Sequence, residues 1–280
     1  MVYLMSLKEL QHRIWYIVFN GDLYLSPLEK DKLKNVLDIG CGTGGLLLLI
    51  LLKCEVNKST AWAIDFADTH PNCEVLGTDL SPIQPSKVPL NCSFMVDDAG
   101  KDWAFDRKFD YIHTRLISSG IRDWDRFIKQ AFENLTPGGW LELQEFHFPV
   151  ECDDGTAAED TPLMKWSREI YDATKKVGID MSASFKHIER LRNTGFVKME
   201  ESCSKWPIGP WPKGRKEKKM GAMIAKDLAD NLRGVSQKMF MQILGKSQEE
   251  FDTFITQVHD DIFNPKVSKV CRSCGTPEVS

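Results

Sequence analysis

The chain has 280 residues, 42% hydrophobic and 27% charged, with a net charge of −4. That is the composition of an ordinary globular protein, long enough for one large domain with a substantial core, and it gives no reason to expect nucleic acid or an anionic membrane as partner. The most apolar run, Leu46 to Leu52, is seven residues, against the ~20 that a membrane span needs.

Residues 7–19 (LKELQHRIWYIVF) place Leu7, Leu10, Ile14, Ile17 and Val18 at helical spacing. NVLDI (35–39) reads as a buried strand that runs straight into glycine. EVLGTDL (74–80), SFMV (93–96) and FDYIH (109–113) read as three more strands. Residues 121–135 carry Trp124, Phe127, Ile128, Ala131, Phe132 and Leu135 on one helical face. Thr136-Pro137-Gly138-Gly139 ends that helix, and WLELQEF (140–146) alternates like a fifth strand. Strand and helix therefore alternate over the first 150 residues, which predicts an α/β fold with a doubly wound, mostly parallel sheet. CDDGTAAED (152–160) is an acidic linker. Helical patterns follow over 161–177, 184–194, 217–244 and 247–262, with a further strand near 196–203 and a rigid loop at 207–214.

The eight cysteines are scattered and no secretory signal precedes them, so we expect reduced thiols and a cytoplasmic or nuclear protein. Cys271 and Cys274 have the spacing of half a zinc site, but no second pair matches them, and we expect no metal. The run KGRKEKK (213–219) reads as a solvated helix start, with a nuclear signal as the alternative.

Gly40, Gly42 and Gly44 follow directly on the first strand, where glycines let the backbone turn and approach a ligand. Two cofactor classes compete for this loop. GCGTGG satisfies the dinucleotide spacing G-x-G-x-x-G, a weak signal alone. Asp38, a carboxylate two residues before the first glycine, favours S-adenosylmethionine, whose ammonium it can reach through water or loop amides. Asp79 ends the second strand, where a carboxylate can accept both ribose hydroxyls. Asp98 follows the third strand and is either an adenine-amino acceptor or a turn residue. Tyr171 and Lys175 match a dehydrogenase Y-x-x-x-K pair, but they sit in an ordinary amphipathic helix.

VLDIGCGTG, EVLGTDLSPIQP, VPLNCSFMVDDA, FDYIHTR and TPGGWLELQEF together resemble the LaeA-like methyltransferases of fungal secondary metabolism. The resemblance spans about residues 7 to 266. It implies a class I methyltransferase fold, Rossmann-like with added helices, and S-adenosylmethionine as donor. On that resemblance Asp38, Gly40, Gly42 and Gly44 form the donor loop. Asp79 with Leu80 holds the ribose side, Asp98 with Ala99 the adenine, and Arg115, like His113 just beyond the fourth strand, lies near the methionine end or the acceptor. His113 and His147, at the ligand edge of the fourth and fifth strands, are the candidate general bases. Trp166, Phe185, Trp206 and Trp211 are candidates to line an acceptor pocket. The acceptor is a small molecule or a protein partner, with no nucleic acid and no membrane. The implied layout is an N-terminal helical cover (1–34), a donor-binding core (35–150), a helical acceptor or lid region completing the same domain (151–266) and an atypical tail (267–280).

Three departures from the family pattern stand out. Gly44 to Asp79 is 35 residues, where such a sheet uses ~20. Without residues 45–60 the text reads DIGCGTGAWAIDFAD, the family sequence without a seam, so GLLLLILLKCEVNKST reads as a retained intron or another foreign insertion. The chain opens just before SLKELQHRIWYIVF, which predicts a shortened cover over the donor. SKVCRSCGTPEVS stands where the family has an aromatic antiparallel strand, which predicts that the last strand is missing.

Overall fold

The computed structural model describes residues 7–41, 61–82 and 87–279; Gly42, Gly44 and the insertion 45–60 lie outside the described residues. Five strands run parallel: β1 (Asn35–Ile39), β2 (Glu74–Asp79), β3 (Cys92–Val96), β4 (Phe109–Arg115) and β5 (Leu135–Glu151). Three more strands extend the sheet: β8 (Lys269–Val279) pairs antiparallel with β5, and β6 (Lys198–Met199) and β7 (Ser202–Ile208) pair antiparallel with β8. The sheet order is β3-β2-β1-β4-β5-β8-β6, with β7 also paired to β8. The order reverses between β1 and β4, the point where an open α/β sheet leaves a crevice at its carboxyl edge.

Strand alternation sorts the core. Val36, Val75 and Tyr111 face α2 (Ala61–Thr69), whose Trp62, Phe66 and Ala67 are buried against them. Leu37, Ile39, Ile112, Leu141 and Leu143 face the other way, onto α3 (Trp124–Asn134) and α5 (His187–Thr194). The predicted stripe of α3 is the buried one, and Asp123 caps it by accepting from the Arg126 N–H. The third core joins α1 (Leu7–Val18), α4 (Pro162–Lys176), α6 (Arg215–Lys238) and α7 (Gln248–Ile262) to the far end of β5 and to β7.

The tail differs from expectation. Residues 269–279 form β8, which pairs with β5 over Trp140–Glu151 and with β7 over Ser202–Ile208. The segment lacks the aromatic alternation of a family strand, but a slot between two strands with unpaired ladder groups selects it by backbone hydrogen bonding. Cys203, on β7, stands opposite Cys274 in register and is disulfide-bonded, which corrects the expectation that every cysteine is a free thiol. The basic run 213–219 is exposed at the start of α6.

One buried ion pair pins β8. Lys269 is fully buried and donates to the Asp261 carboxylate (2.6 Å) and to the Asp261 carbonyl, while Asp261 also accepts from the Leu163 N–H at 3.0 Å. Removing one partner strands the other charge inside the protein. Lys269→Met is therefore expected to cost about 3–5 kcal/mol, read by urea denaturation. A change below about 1 kcal/mol would show that the tail is not packed as described.

Candidate active site

The carboxyl ends of β1 to β4 open onto one cleft. Gly40, Thr78, Asp79, Leu80, Asp98, Ala99, Arg115, Leu116, Ile117 and Ile121 are among the residues that line it. Six of the sequence-derived site residues thus meet in one place: Gly40, Asp79, Leu80, Asp98, Ala99 and Arg115. Each stands on or just after a strand end, so the parallel sheet itself brings them together.

Two glycines are required by close approach. Gly40 has φ +70°, and a Cβ there would lie 2.5 Å from the Ile117 side chain. A Cβ on Gly77 would lie 2.5 Å from the Phe94 ring. The Cys41 N–H donates to the Thr78 carbonyl at 3.0 Å, which fixes the start of the glycine loop to the end of β2. Asp79 accepts from the Ser81 N–H at 2.9 Å. Asp98 accepts from the Gly100 N–H at 3.0 Å, so it serves the turn as well as facing the cleft. Leu80 is 57% exposed, an apolar side chain presented to the cleft. Leu116 holds φ +55°, a left-handed conformation that a leucine rarely adopts, immediately after Arg115.

Asp38 and His113 do not line the cleft. They are register partners on β1 and β4, buried beneath it, with His113 Nδ1 2.7 Å from Asp38 Oδ1. His113 is stacked on Trp62, ring centroids 3.7 Å apart. It lies inside β4 rather than beyond it, because pairing to β1 and β5 carries the strand on to Arg115. This corrects the placement of His113 at an open strand end: its ring is sealed against Asp38 and Trp62. His147 is also off the cleft, packed against Phe185 farther along β5, and burial lowers its pKa. Glu201 and Cys203 lie close to His147, but the sulfur of Cys203 is committed to its disulfide.

A buried polar row that sequence reading missed extends across three strands. His113 pairs in register with Glu142, and Arg115 with Gln144. Glu142 is fully buried and accepts from the Leu25 and Ser26 N–H groups, from Ser26 Oγ at 2.6 Å, from the Tyr111 hydroxyl at 3.0 Å and from Gln144 Nε2 at 2.7 Å. Gln144 in turn accepts from Arg115 Nε at 2.7 Å. Arg115 lies over the Trp15 ring, 5.0 Å from its centroid, with His12 Nδ1 3.3 Å from its guanidinium. Burial lowers the Arg115 pKa to about 10, with Asp38 and Glu142 opposing the shift, so the group stays charged at neutral pH. The signal was present in WLELQEF: glutamate and glutamine on one face of a central strand must be partnered.

On the opposite face of β5, Glu145 accepts from the Ile117 N–H at 2.8 Å and from Ser118 Oγ at 2.7 Å. It thereby holds the segment that forms one wall of the cleft.

This arrangement defines a class I methyltransferase-type fold with its cleft at the switch point of the sheet. The family model described as "Methyltransferase domain" matches residues 12–199, and the chain belongs to that family. It is 33% identical over 260 residues to the probable methyltransferase tdiE of Emericella nidulans, covering 92% of this chain and 76% of that protein. It is 30% identical over 233 residues to the secondary metabolism regulator LAE1 of Cochliobolus heterostrophus, covering 81% and 71%. Among solved structures, mycolic acid cyclopropane synthase CmaA1, complexed with SAH and CTAB, shares the fold at a TM-score of 0.53 and 16% identity, over 98% of this chain and 86% of that one.

Burial raises the Glu145 pKa from 4.5 to about 7. The folded state therefore holds this proton more tightly than the unfolded chain. The associated stability is fully present below the unfolded pKa and is lost as pH rises through about 7. Glu145→Gln keeps an acceptor for Ile117 and removes the charge. It is expected to flatten the stability profile between about pH 5 and 8 and to add on the order of 1–3 kcal/mol at the upper end. Urea denaturation across that range checks this; a parallel offset at every pH would contradict it.

Proposed function

We propose that the chain is an S-adenosylmethionine-dependent methyltransferase acting on a small-molecule acceptor of fungal secondary metabolism. The observation that carries this reading is the convergence of Gly40, Asp79, Leu80, Asp98, Ala99 and Arg115 on one cleft at the carboxyl edge of the sheet. The chemistry of that set fits the donor. Asp79 offers a carboxylate at the strand end where a ribose diol is held. Leu80 and Ala99 offer apolar surface for a flat ring, and Asp98 has lone pairs beyond its turn bond for an amino group. Arg115 supplies a fixed cation for a carboxylate, held by Gln144 and Trp15. Asp38 contributes a buried negative charge beneath the loop, kept in place by His113.

When bound, the sulfonium supplies a methyl group that already carries its leaving group. The protein's share is then alignment of the acceptor and exclusion of water. The Gly40 turn and the Leu116–Ile121 segment form the walls that do so, and the strained Leu116 sets the direction of the second wall. On this reading His113 is a positioning residue for Asp38, not a base. His147 would have to meet an acceptor from the β5 side. Similarity to a protein named as a regulator supports a second reading, in which the same donor-bound fold acts through a protein partner. A cytoplasmic or nuclear location is part of this proposal. Among the described residues, no helix is long and apolar enough to cross a membrane.

Calorimetry of S-adenosylmethionine binding tests the proposal. We expect Asp79→Ala to weaken binding at least about tenfold, the scale of losing charge-assisted hydrogen bonds, with little change in melting temperature. Unchanged affinity in the variant, or preferential binding of a nicotinamide dinucleotide, would overturn it.

A further inference from the structure

A group of metal-ligating side chains lies away from the donor cleft. His147 stands on β5, Cys203 on β7, and Glu201 in the link between β6 and β7. One imidazole nitrogen, the Cys203 sulfur and one carboxylate oxygen lie within 4.8 Å of one another. Bonds of ~2.0–2.3 Å at tetrahedral angles set the donor atoms of a zinc site ~3.5 Å apart. The three groups therefore need to close by on the order of 1 Å. His147 is buried with its ring against Phe185, centroids 3.9 Å apart, while Glu201 and Cys203 are exposed. The set thus has one fixed ligand and two that can be reached from solvent.

The disulfide of Cys203 decides when this set can act. The thiolate, not the disulfide sulfur, is the metal ligand. Register sets Cys274 of β8 opposite Cys203, and the Cys203 side is open to solvent. Exposed disulfides are the labile ones, and the cytoplasm and nucleus keep thiols reduced. Reduction by a small thiol balances simply. Two R–SH molecules give up two electrons and two protons and leave as R–S–S–R, and the protein S–S bond becomes two S–H groups. Both sulfurs are then released at one place, one on Cys203 and one on its former partner. With His147 and Glu201 they make four donors of the kinds zinc takes: two sulfurs, a nitrogen and an oxygen. Binding of Zn²⁺ displaces the two thiol protons.

The ladder shows what such a site would hold. β8 lies between β5 and β7, and among the described residues β7 is paired to β8 alone. A disulfide across the β7–β8 ladder ties two strands. A metal that also takes His147 ties β7 to β5 as well.

We infer that His147, Glu201, Cys203 and the cysteine freed from its disulfide form a zinc site that becomes available when the disulfide is reduced. The inference does not depend on the methyltransferase reading, since none of the three named residues lines the donor cleft. His147 is then a metal ligand rather than a general base. The sequence expectation of no metal weighed only ligands close together in the chain, whereas these come from separate strands.

The test uses the full chain and Zn²⁺ alone, titrated in competition with a chromogenic chelator. The disulfide form is compared with the chain reduced by a phosphine that is then removed without air. Cys41, Cys73, Cys92, Cys152 and Cys271 are free in both forms, so the difference isolates the disulfide pair. We expect one zinc per reduced chain, bound at least about a hundredfold more tightly than by the disulfide form. Glu201→Gln, at an exposed position, is expected to weaken zinc at least about tenfold, with no change in the melting temperature of the metal-free reduced chain. Cys203→Ser lacks both the disulfide and one ligand, and is expected to bind at least about a hundredfold more weakly than the reduced parent chain. Equal zinc affinity of the two forms, no zinc on the reduced chain, or parental affinity in reduced Cys203→Ser overturns the inference.

Discussion

The structure depends on one buried carboxylate. Glu142 has no solvent exposure, yet it accepts from two backbone amides, two hydroxyls and one side-chain amide. A charge at that depth is tolerated only when its lone pairs are filled. Filling them fixes three things at once: the segment around Leu25 and Ser26 is drawn onto the sheet, Tyr111 is oriented in β4, and Gln144 is turned so that its oxygen faces Arg115. The cation that lines the cleft is therefore held from behind by the same carboxylate that holds the N-terminal segment to the core.

The neighbouring strand repeats this logic. Asp38 is almost wholly buried, and His113 fills one of its oxygens while stacking on Trp62, whose indole N–H donates to the Leu23 carbonyl at 2.8 Å. Register places Asp38, His113 and Glu142 side by side on β1, β4 and β5. Beneath the cleft runs a polar row inside an otherwise apolar sheet, tied to N-terminal residues through Glu142 and Arg115. A site built on central strands, with Glu142 and Gln144 filled by partners and one Asp38 oxygen held by His113, holds its geometry without a ligand.

Much of this was legible in the residues. Glycines after a hydrophobic run, then aspartates at the ends of the next two strands, gave the position of the cleft, because strand ends in a parallel sheet converge on one edge. The strong periodicity of residues 121–135 gave α3. The break in spacing between Gly44 and Asp79 was legible in the text, and of the helix that follows, Trp62 and Phe66 are buried. The rest depended on long-range partners. His113 looked like an open strand end because its partner Asp38 lies 75 residues away. The tail looked structureless because its strand character comes from β5 and β7, not from its own alternation. Glu142 and Glu145 were only alternating letters in a strand until residues 25–26 and 117–118 were brought to them.

The most direct test of the central claim is a crystal structure of the chain soaked with S-adenosylhomocysteine. The account predicts density in the cleft at the carboxyl edge, with ribose oxygens in hydrogen-bond reach of Asp79, a flat ring between Leu80 and Ala99, and the amino-acid carboxylate beside Arg115. Density at another site, or an occupied cleft in which Asp79 and Arg115 touch nothing, would contradict it.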